Sequence, residues 1–93
     1  YLLARTGITG ERPDAPEVSP RVARLREFTQ LPIACGFGIS TPDQVRAVVH
    51  SGGADAAIVG SAMVRRVSEA VDTSQNPIET AEAFARGLAA GLA

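Results

Sequence analysis

The chain has 93 residues, 45% of them apolar and 20% charged, with a formal net charge of −1 and one cysteine. This balance belongs to ordinary globular chains and excludes a disordered tail, a polybasic nucleic-acid surface and a disulfide scaffold. No apolar run approaches the ~20 residues of a membrane-spanning helix, so neither membrane nor nucleic acid is expected as a partner. No charged-then-apolar leader opens the sequence, and with Cys35 alone a reducing cytoplasm is the simplest compartment. Every basic residue is arginine, which removes lysine-imine chemistry, and His50 has no second histidine or cysteine for sharing a metal, so no metal site is expected.

Tyr1 to Ala4 is a short β-prone run, ended by Gly7 and Gly10. The sequence thus opens inside a strand without an initiator methionine and reads as part of a longer protein. Residues 11–17, rich in proline and charge, read as a mobile loop. Ser19 is a candidate N-cap with Pro20 at the first helical position, and Val22, Leu25 and Phe28 at helical spacing predict a helix over 20–29 with one buried face. Leu31 to Cys35 is a compact apolar strand ending in Gly36-Phe37-Gly38. Thr41, Pro42 and Gln44 form a capping-box signature for the next helix, whose buried stripe is Val45, Val48 and Val49 and whose stop is Gly52-Gly53. Ala56 to Val59 is a third strand, uniformly apolar as strands buried on both faces are. Gly60-Ser61 ends it, and Met63, Val64, Val67 and Val71 predict a helix immediately after. Asn76, Pro77 and Glu79 repeat the cap-proline-acid pattern before a last helix with Ile78, Ala81, Ala85, Leu88 and Leu92 on one side.

The order β-α-β-α-β-α-α predicts an α/β fold with parallel strands and right-handed crossovers. Three parallel strands leave two raw edges, and a closed barrel of this type needs eight strands and ~250 residues. The chain is therefore expected to supply the last three βα units of a barrel and to fold poorly alone.

In such barrels the active site lies at the C-terminal ends of the strands. Here those ends read Arg5-Thr6-Gly7-Ile8-Thr9-Gly10, Gly36-Phe37-Gly38-Ile39-Ser40 and Gly60-Ser61-Ala62. Glycine lets backbone approach a ligand, and helix-start N–H groups bind an anion without a basic side chain. The plainer alternative is tight turns that bind nothing. Two glycine turns at consecutive strand ends, one followed by serine at a helix start, favour a phosphate cup instead. Gly36-x-Gly38 is a weak dinucleotide fingerprint, because Thr41 stands where the third glycine belongs. Asp43 reads as an anion favouring a helix start, Asp55 as a turn cap, His50 as a helix-end cation, Cys35 as packing, and Arg65 and Arg66 as a solvated face.

Tyr1-Leu2-Leu3, Gly7-Ile8-Thr9-Gly10, Gly36-Phe37-Gly38-Ile39-Ser40, Pro42-Asp43-Gln44-Val45 and Gly60-Ser61-Ala62 together resemble the tryptophan synthase α subunit from its sixth strand onward. The resemblance implies a TIM (β/α)8 barrel, with residues 1–93 as the C-terminal part of a single barrel domain. It implies a lyase that splits indole-3-glycerol phosphate by a retro-aldol reaction into indole and glyceraldehyde 3-phosphate. Tyr1 then corresponds to the substrate-proximal tyrosine in a supporting role. Thr9 and Gly10 belong to the closing loop, and Gly36, Phe37, Gly38, Gly60 and Ser61 line the phosphate pocket. Tyr1 equally suits a packed aromatic, Phe37 a core wall and Thr9 a turn. No cofactor is expected on this subunit; pyridoxal phosphate belongs to a partner tryptophan synthase β subunit, in a heterotetramer of two α and two β subunits. The family's general acid and base are carboxylates on early strands, outside this stretch. The alternatives are another phosphate-binding barrel isomerase or synthase, and a catalytically inert barrel fragment.

Overall fold

Short apolar runs alternating with amphipathic ones have only a few ways to bury their stripes, and here they stack helices on a parallel sheet. The computed structural model describes residues 1–4 and 18–93. The elements are β1 (Leu2–Leu3), α1 (Ser19–Arg26), β2 (Ala34–Gly36), α2 (Pro42–Arg46) running into a π turn (Ala47–Ser51), β3 (Ala56–Ala57), α3 (Ser61–Asp72) and α4 (Pro77–Ala89), which ends in a 3-10 turn (Ala90–Leu92). The strands form one sheet in the order β1-β2-β3. Both pairings are parallel, with Leu2 opposite Cys35, Leu3 opposite Gly36, Ala34 opposite Ala56 and Cys35 opposite Ala57. The alternation had predicted this arrangement.

Side chains alternate across a strand, so the register sorts residues by face. Leu2, Cys35 and Ala57 point to the helix side, where Ile33, Cys35, Val18, Val22, Val45, Val48 and Leu88 make the core. Burial of each larger aliphatic there contributes roughly 1.5–3 kcal/mol. The opposite face carries Tyr1 and Leu3, which are 81% and 52% exposed. Burial on both faces, expected for β3, is therefore not what the described residues show: helices cover one face only, and Ala56 is exposed on the other.

Local signals decided the starts of α2 and α4. Thr41 closes a capping box with Gln44, and the Asn76 side chain accepts from the Ile78 and Glu79 amides. Ser19 is not a cap. Val18 holds that position and the Ser19–Pro20 pair lies inside the first turn of α1. That helix ends at Arg26 instead of residue 29, which leaves Phe28 exposed with Arg24 stacked 5.6 Å from its ring centroid. The second strand begins at Ala34 and not Leu31. Pro32 has no N–H to offer towards β1, and on the other side the Ile33 amide donates to the Asp55 carboxylate at 2.8 Å instead of to strand backbone. At the far end of α2 the Gly52 amide reaches back to the Ala47 carbonyl at 2.7 Å, forming the π turn. Val18 comes so near to Gly52 that any β-carbon there would collide with it, which explains the glycine.

Candidate phosphate site at the strand ends

β2 and β3 are parallel neighbours, so the turns that follow them leave the sheet at the same end. The Ile58 amide donates to the Cys35 carbonyl at 2.9 Å, and the Ala4 amide to the Gly36 carbonyl at the same distance. These bonds carry the register one residue beyond β1 and β3, to Ala4 and Ile58. Gly36 and Ile58 then stand side by side, with Gly38 and Gly60 each two residues farther along the chain, in the connections that leave the sheet.

Gly36 is the end of β2, and a β-carbon built on it would meet the Ile58 Cβ and the Tyr1 hydroxyl, each at 3.2 Å. The Tyr1 side chain therefore leans along the open sheet face to the strand ends. Phe37 turns the other way and packs against the helix-side core, so it offers backbone and not ring to the strand-end space. Gly38 has φ +96°, a conformation that favours glycine, and the space around its Cβ position is open within 4 Å. Gly60 precedes α3 with φ −121° and equally open surroundings, and Ser61 is the first residue of the helix. Thr9 and Gly10 lie outside the described residues.

The helix starts differ in how they are closed. In α2, the Gln44 side chain accepts from the Ser40 and Thr41 amides at 2.8 and 3.2 Å, and Asp43 adds a negative charge to the first turn. In α4, Asn76 caps and Glu79 supplies the charge. α3 has neither a side-chain cap nor an acidic residue in its first turn, and the same is true of α1. At the end of β3, the start of α3 keeps the positive end of the helix dipole and its first amides available to an external anion.

The remaining ionisable groups serve structure. Arg66 lies with Cζ 4.6 Å from the Phe84 ring centroid, stacked rather than simply solvated, while Arg65 is exposed. His50 places Nε2 3.2 Å from the Leu92 carbonyl on the terminal turn, so it touches another element's carbonyl and not its own helix end. Asp55 bridges strands instead of capping a local turn. It accepts from Ile33 and pairs with Arg26 at 3.0 Å, and those two interactions, the Ile33 bond foremost, hold its carboxyl below the usual range. Cys35 is fully buried and unbonded, and burial pushes its thiol up, against a smaller opposing effect of Arg21. Among the described residues no cluster of three or more histidine, cysteine, aspartate or glutamate residues could hold a metal, and no helix is long and apolar enough to cross a membrane.

A parallel α/β unit with glycine turns and an uncapped helix start at one sheet end is the construction of (β/α) proteins. Within that class the chain belongs to the tryptophan synthase α chain family, whose model, described as "Tryptophan synthase alpha chain", matches residues 1–93. The tryptophan synthase alpha chain of Caulobacter vibrioides is 46% identical over 80 residues, which are 85% of this chain and 28% of that protein. Its Synechocystis counterpart is 44% identical over 89 residues, 95% of this chain and 33% of that one. The crystal structure of tryptophan synthase subunit alpha from Legionella pneumophila is similar with a TM-score of 0.71 at 28% identity, covering 82% of this chain and 28% of that one. The chain thus spans roughly a third of the length of the curated relatives it matches.

Proposed function

We propose that the protein containing this chain cleaves indole-3-glycerol phosphate to indole and glyceraldehyde 3-phosphate in tryptophan biosynthesis. Residues 1–93 form the last three βα units of one (β/α)8 barrel domain, and they anchor the phosphate. The observation that carries this reading is the pairing of two glycine turns at one end of adjacent parallel strands with a helix start, that of α3, left uncapped. Gly36, Phe37 and Gly38 contribute main chain on one side; Gly60 and the Ser61 amide and hydroxyl contribute on the other. Each such hydrogen bond to a charged phosphate oxygen is worth roughly 1.5–3 kcal/mol, enough in combination to hold a dianion without a lysine or arginine. Thr9 and Gly10 belong to the loop that closes over the substrate.

The retro-aldol step needs a sink for the electrons of the breaking C–C bond. Protonation of the indole at C3 provides one as an indolenine. Loss of the side-chain hydroxyl proton then drives the bond electrons into the ring and releases the aldehyde. The acid and base are carboxylates from earlier strands, and Tyr1 supports the substrate beside them. The protein itself uses no cofactor. Indole passes to a β subunit that carries pyridoxal phosphate, within a heterotetramer of two α and two β subunits in the cytoplasm.

Substitution at Gly60 in the complete protein tests the phosphate role. Gly60→Ala fits the open space around that residue and leaves KM near its native value. Gly60→Asp fits equally well but sets a carboxylate against the dianion, and KM for indole-3-glycerol phosphate rises at least tenfold, the equivalent of about 1.4 kcal/mol. An unchanged KM in Gly60→Asp rules the role out.

A further inference from the structure

The strand-end site has two halves on different supports. Gly36–Ser40 is continuous with the sheet and α2. α3 packs on α4 and on no other described element to a comparable extent, and none of its residues belongs to the core under the sheet. A cleft of about 380 Å³, lined by Ser40, Pro42, Arg66, Phe84 and Gly87 among others, lies between the start of α2, α3 and α4. Gly60 ties Ser61 to the end of β3, so what α4 sets is the tilt of α3 relative to the Gly36–Ser40 loop.

On the α3 side the relay is the Arg66 guanidinium over the Phe84 ring, 4.6 Å from its centroid. Phe84 packs against the core, and Leu88, one turn on, is buried within it. Beyond them, the Arg46 guanidinium of α2 donates to the Ala93 carbonyl at 3.1 Å, and the His50 ring meets the Leu92 carbonyl at 3.2 Å. These contacts fix α4 to α2. Arg66 lies five residues past Ser61, about 7.5 Å along the helix axis, so a change in its seat tilts α3 about Gly60 and turns the direction of its first amides.

We propose that Arg66 is a positioning residue for phosphate binding: stacked on Phe84, it fixes the tilt of α3 and so aims the Gly60–Ser61 amides at an anion held by the Gly36–Ser40 loop. The proposal rests on the phosphate-site reading above. A guanidinium over an aromatic face is held by the ring quadrupole and is directional. Its alternative role, as a bare charge that attracts phosphate, predicts a different dependence on the ring.

The complete protein with inorganic phosphate as the probe separates these. Dissociation constants by calorimetry, together with KM and kcat for indole-3-glycerol phosphate, are measured for Arg66→Ala, Arg66→Lys, Phe84→Leu and the Arg66→Ala/Phe84→Leu pair. Arg66 is exposed and Phe84→Leu retains an apolar side chain, so melting temperature checks that each variant folds. The expected result is about a three- to fivefold rise in phosphate Kd and in KM for Arg66→Ala and for Phe84→Leu, with kcat little changed. The pair behaves like either single variant, and Arg66→Lys recovers most of the binding. Native-like phosphate binding by Phe84→Leu overturns the proposal, whatever Arg66→Ala does, because the charge remains while the seat is gone. Failure of the unsubstituted protein to bind phosphate overturns the underlying site reading instead, and that failure is visible before any substitution is made.

Discussion

Gly36 and Ile58 face each other across β2 and the end of β3 so closely that a β-carbon on Gly36 would stand 3.2 Å from the Ile58 Cβ. The Ile58 carbonyl is next, at 3.5 Å, and the Tyr1 hydroxyl is as near as the Cβ. The hydroxyl ends a flexible side chain and can swing aside; the Ile58 Cβ, fixed directly to its backbone, cannot. Gly36→Ala is expected to cost roughly 1–3 kcal/mol of stability, the range for overpacking a tight site. Gly60→Ala, with open space around it, stays within about 0.5 kcal/mol. Denaturant melts of the two variants of the complete protein check the contrast, and equal losses would contradict the packing described.

Ser61 offers the site an amide that no substitution removes and a hydroxyl that one does. If its hydroxyl bonds a phosphate oxygen, Ser61→Ala raises KM for indole-3-glycerol phosphate while kcat holds, because uniform binding is lost. A loss of about 1.5–3 kcal/mol, the value of a hydrogen bond to a charged group, is the expected size. A fall in kcat at constant KM is the outcome that does not fit an anchoring role.

The elements that sequence alone resolved are those fixed by neighbours in the chain. Thr41 with Gln44 and Asn76 with Ile78 and Glu79 act over three residues, and both caps stand where the spacing placed them. Ser19 carries the same residue type but yields the cap position to Val18, which is buried in the core, so tertiary packing decided that boundary. In α4 the stripe through Ile78, Ala81, Ala85, Leu88 and Leu92 holds at Leu88, which is buried, but Ile78, Ala85 and Leu92 are exposed and Phe84, off that stripe, packs against the core. With apolar residues on several sides, periodicity could not choose between them. The Arg66–Phe84 stack escaped for a related reason: its partners are on different helices, and nothing local pairs them. Of the strand-end residues, the glycines and Ser61 were legible from their position after strands. The lack of any cap on α3 became visible only beside the caps of its neighbours.

Asp55 gives a pH prediction with a definite sign. Its carboxyl is held below its ordinary value of 3.8, first by the Ile33 amide and next by Arg26. A depressed folded pKa means a stabilising contribution that is complete above the unfolded value and is lost as pH falls through the folded one. Stability should therefore decline below about pH 4, and Asp55→Asn should flatten that decline while lowering stability at neutral pH. Urea midpoints collected between pH 2.5 and 7 test both halves. A variant with the native acid slope would show that other carboxylates set it.

Asn76 accepts from two amides at 2.9 and 3.1 Å, so Asn76→Ala leaves both without a partner at the start of α4. The cost is about 1 kcal/mol, within the usual 0.5–2 range for a lost cap, and Asn76→Asp should recover it. Because α4 relays the position of α3 to α2, the alanine variant also reports on that coupling. A loss of stability accompanied by weaker phosphate binding supports the relay; a purely thermodynamic effect confines Asn76 to helix stability.

The sheet face away from the helices is open. Tyr1 and Leu3 stand exposed on the side away from the helices, and Phe28 and Leu31, at 74% and 70%, are exposed before the start of β2. Among the described strands, β1 and β3 each pair on one side only. Uncovered apolar surface and unpaired strand edges both favour association with other chains. The 93-residue chain expressed alone should therefore melt without a sharp transition, bind a hydrophobic dye and release no indole from indole-3-glycerol phosphate. On the proposed barrel reading, supplying the remaining strands in trans should suppress dye binding, since they would offer both a cover for the exposed face and partners for the edges. A cooperative melt with no dye uptake by the isolated chain would mean that this face needs no cover, and the assignment of residues 1–93 as three units of a larger barrel would fall with it.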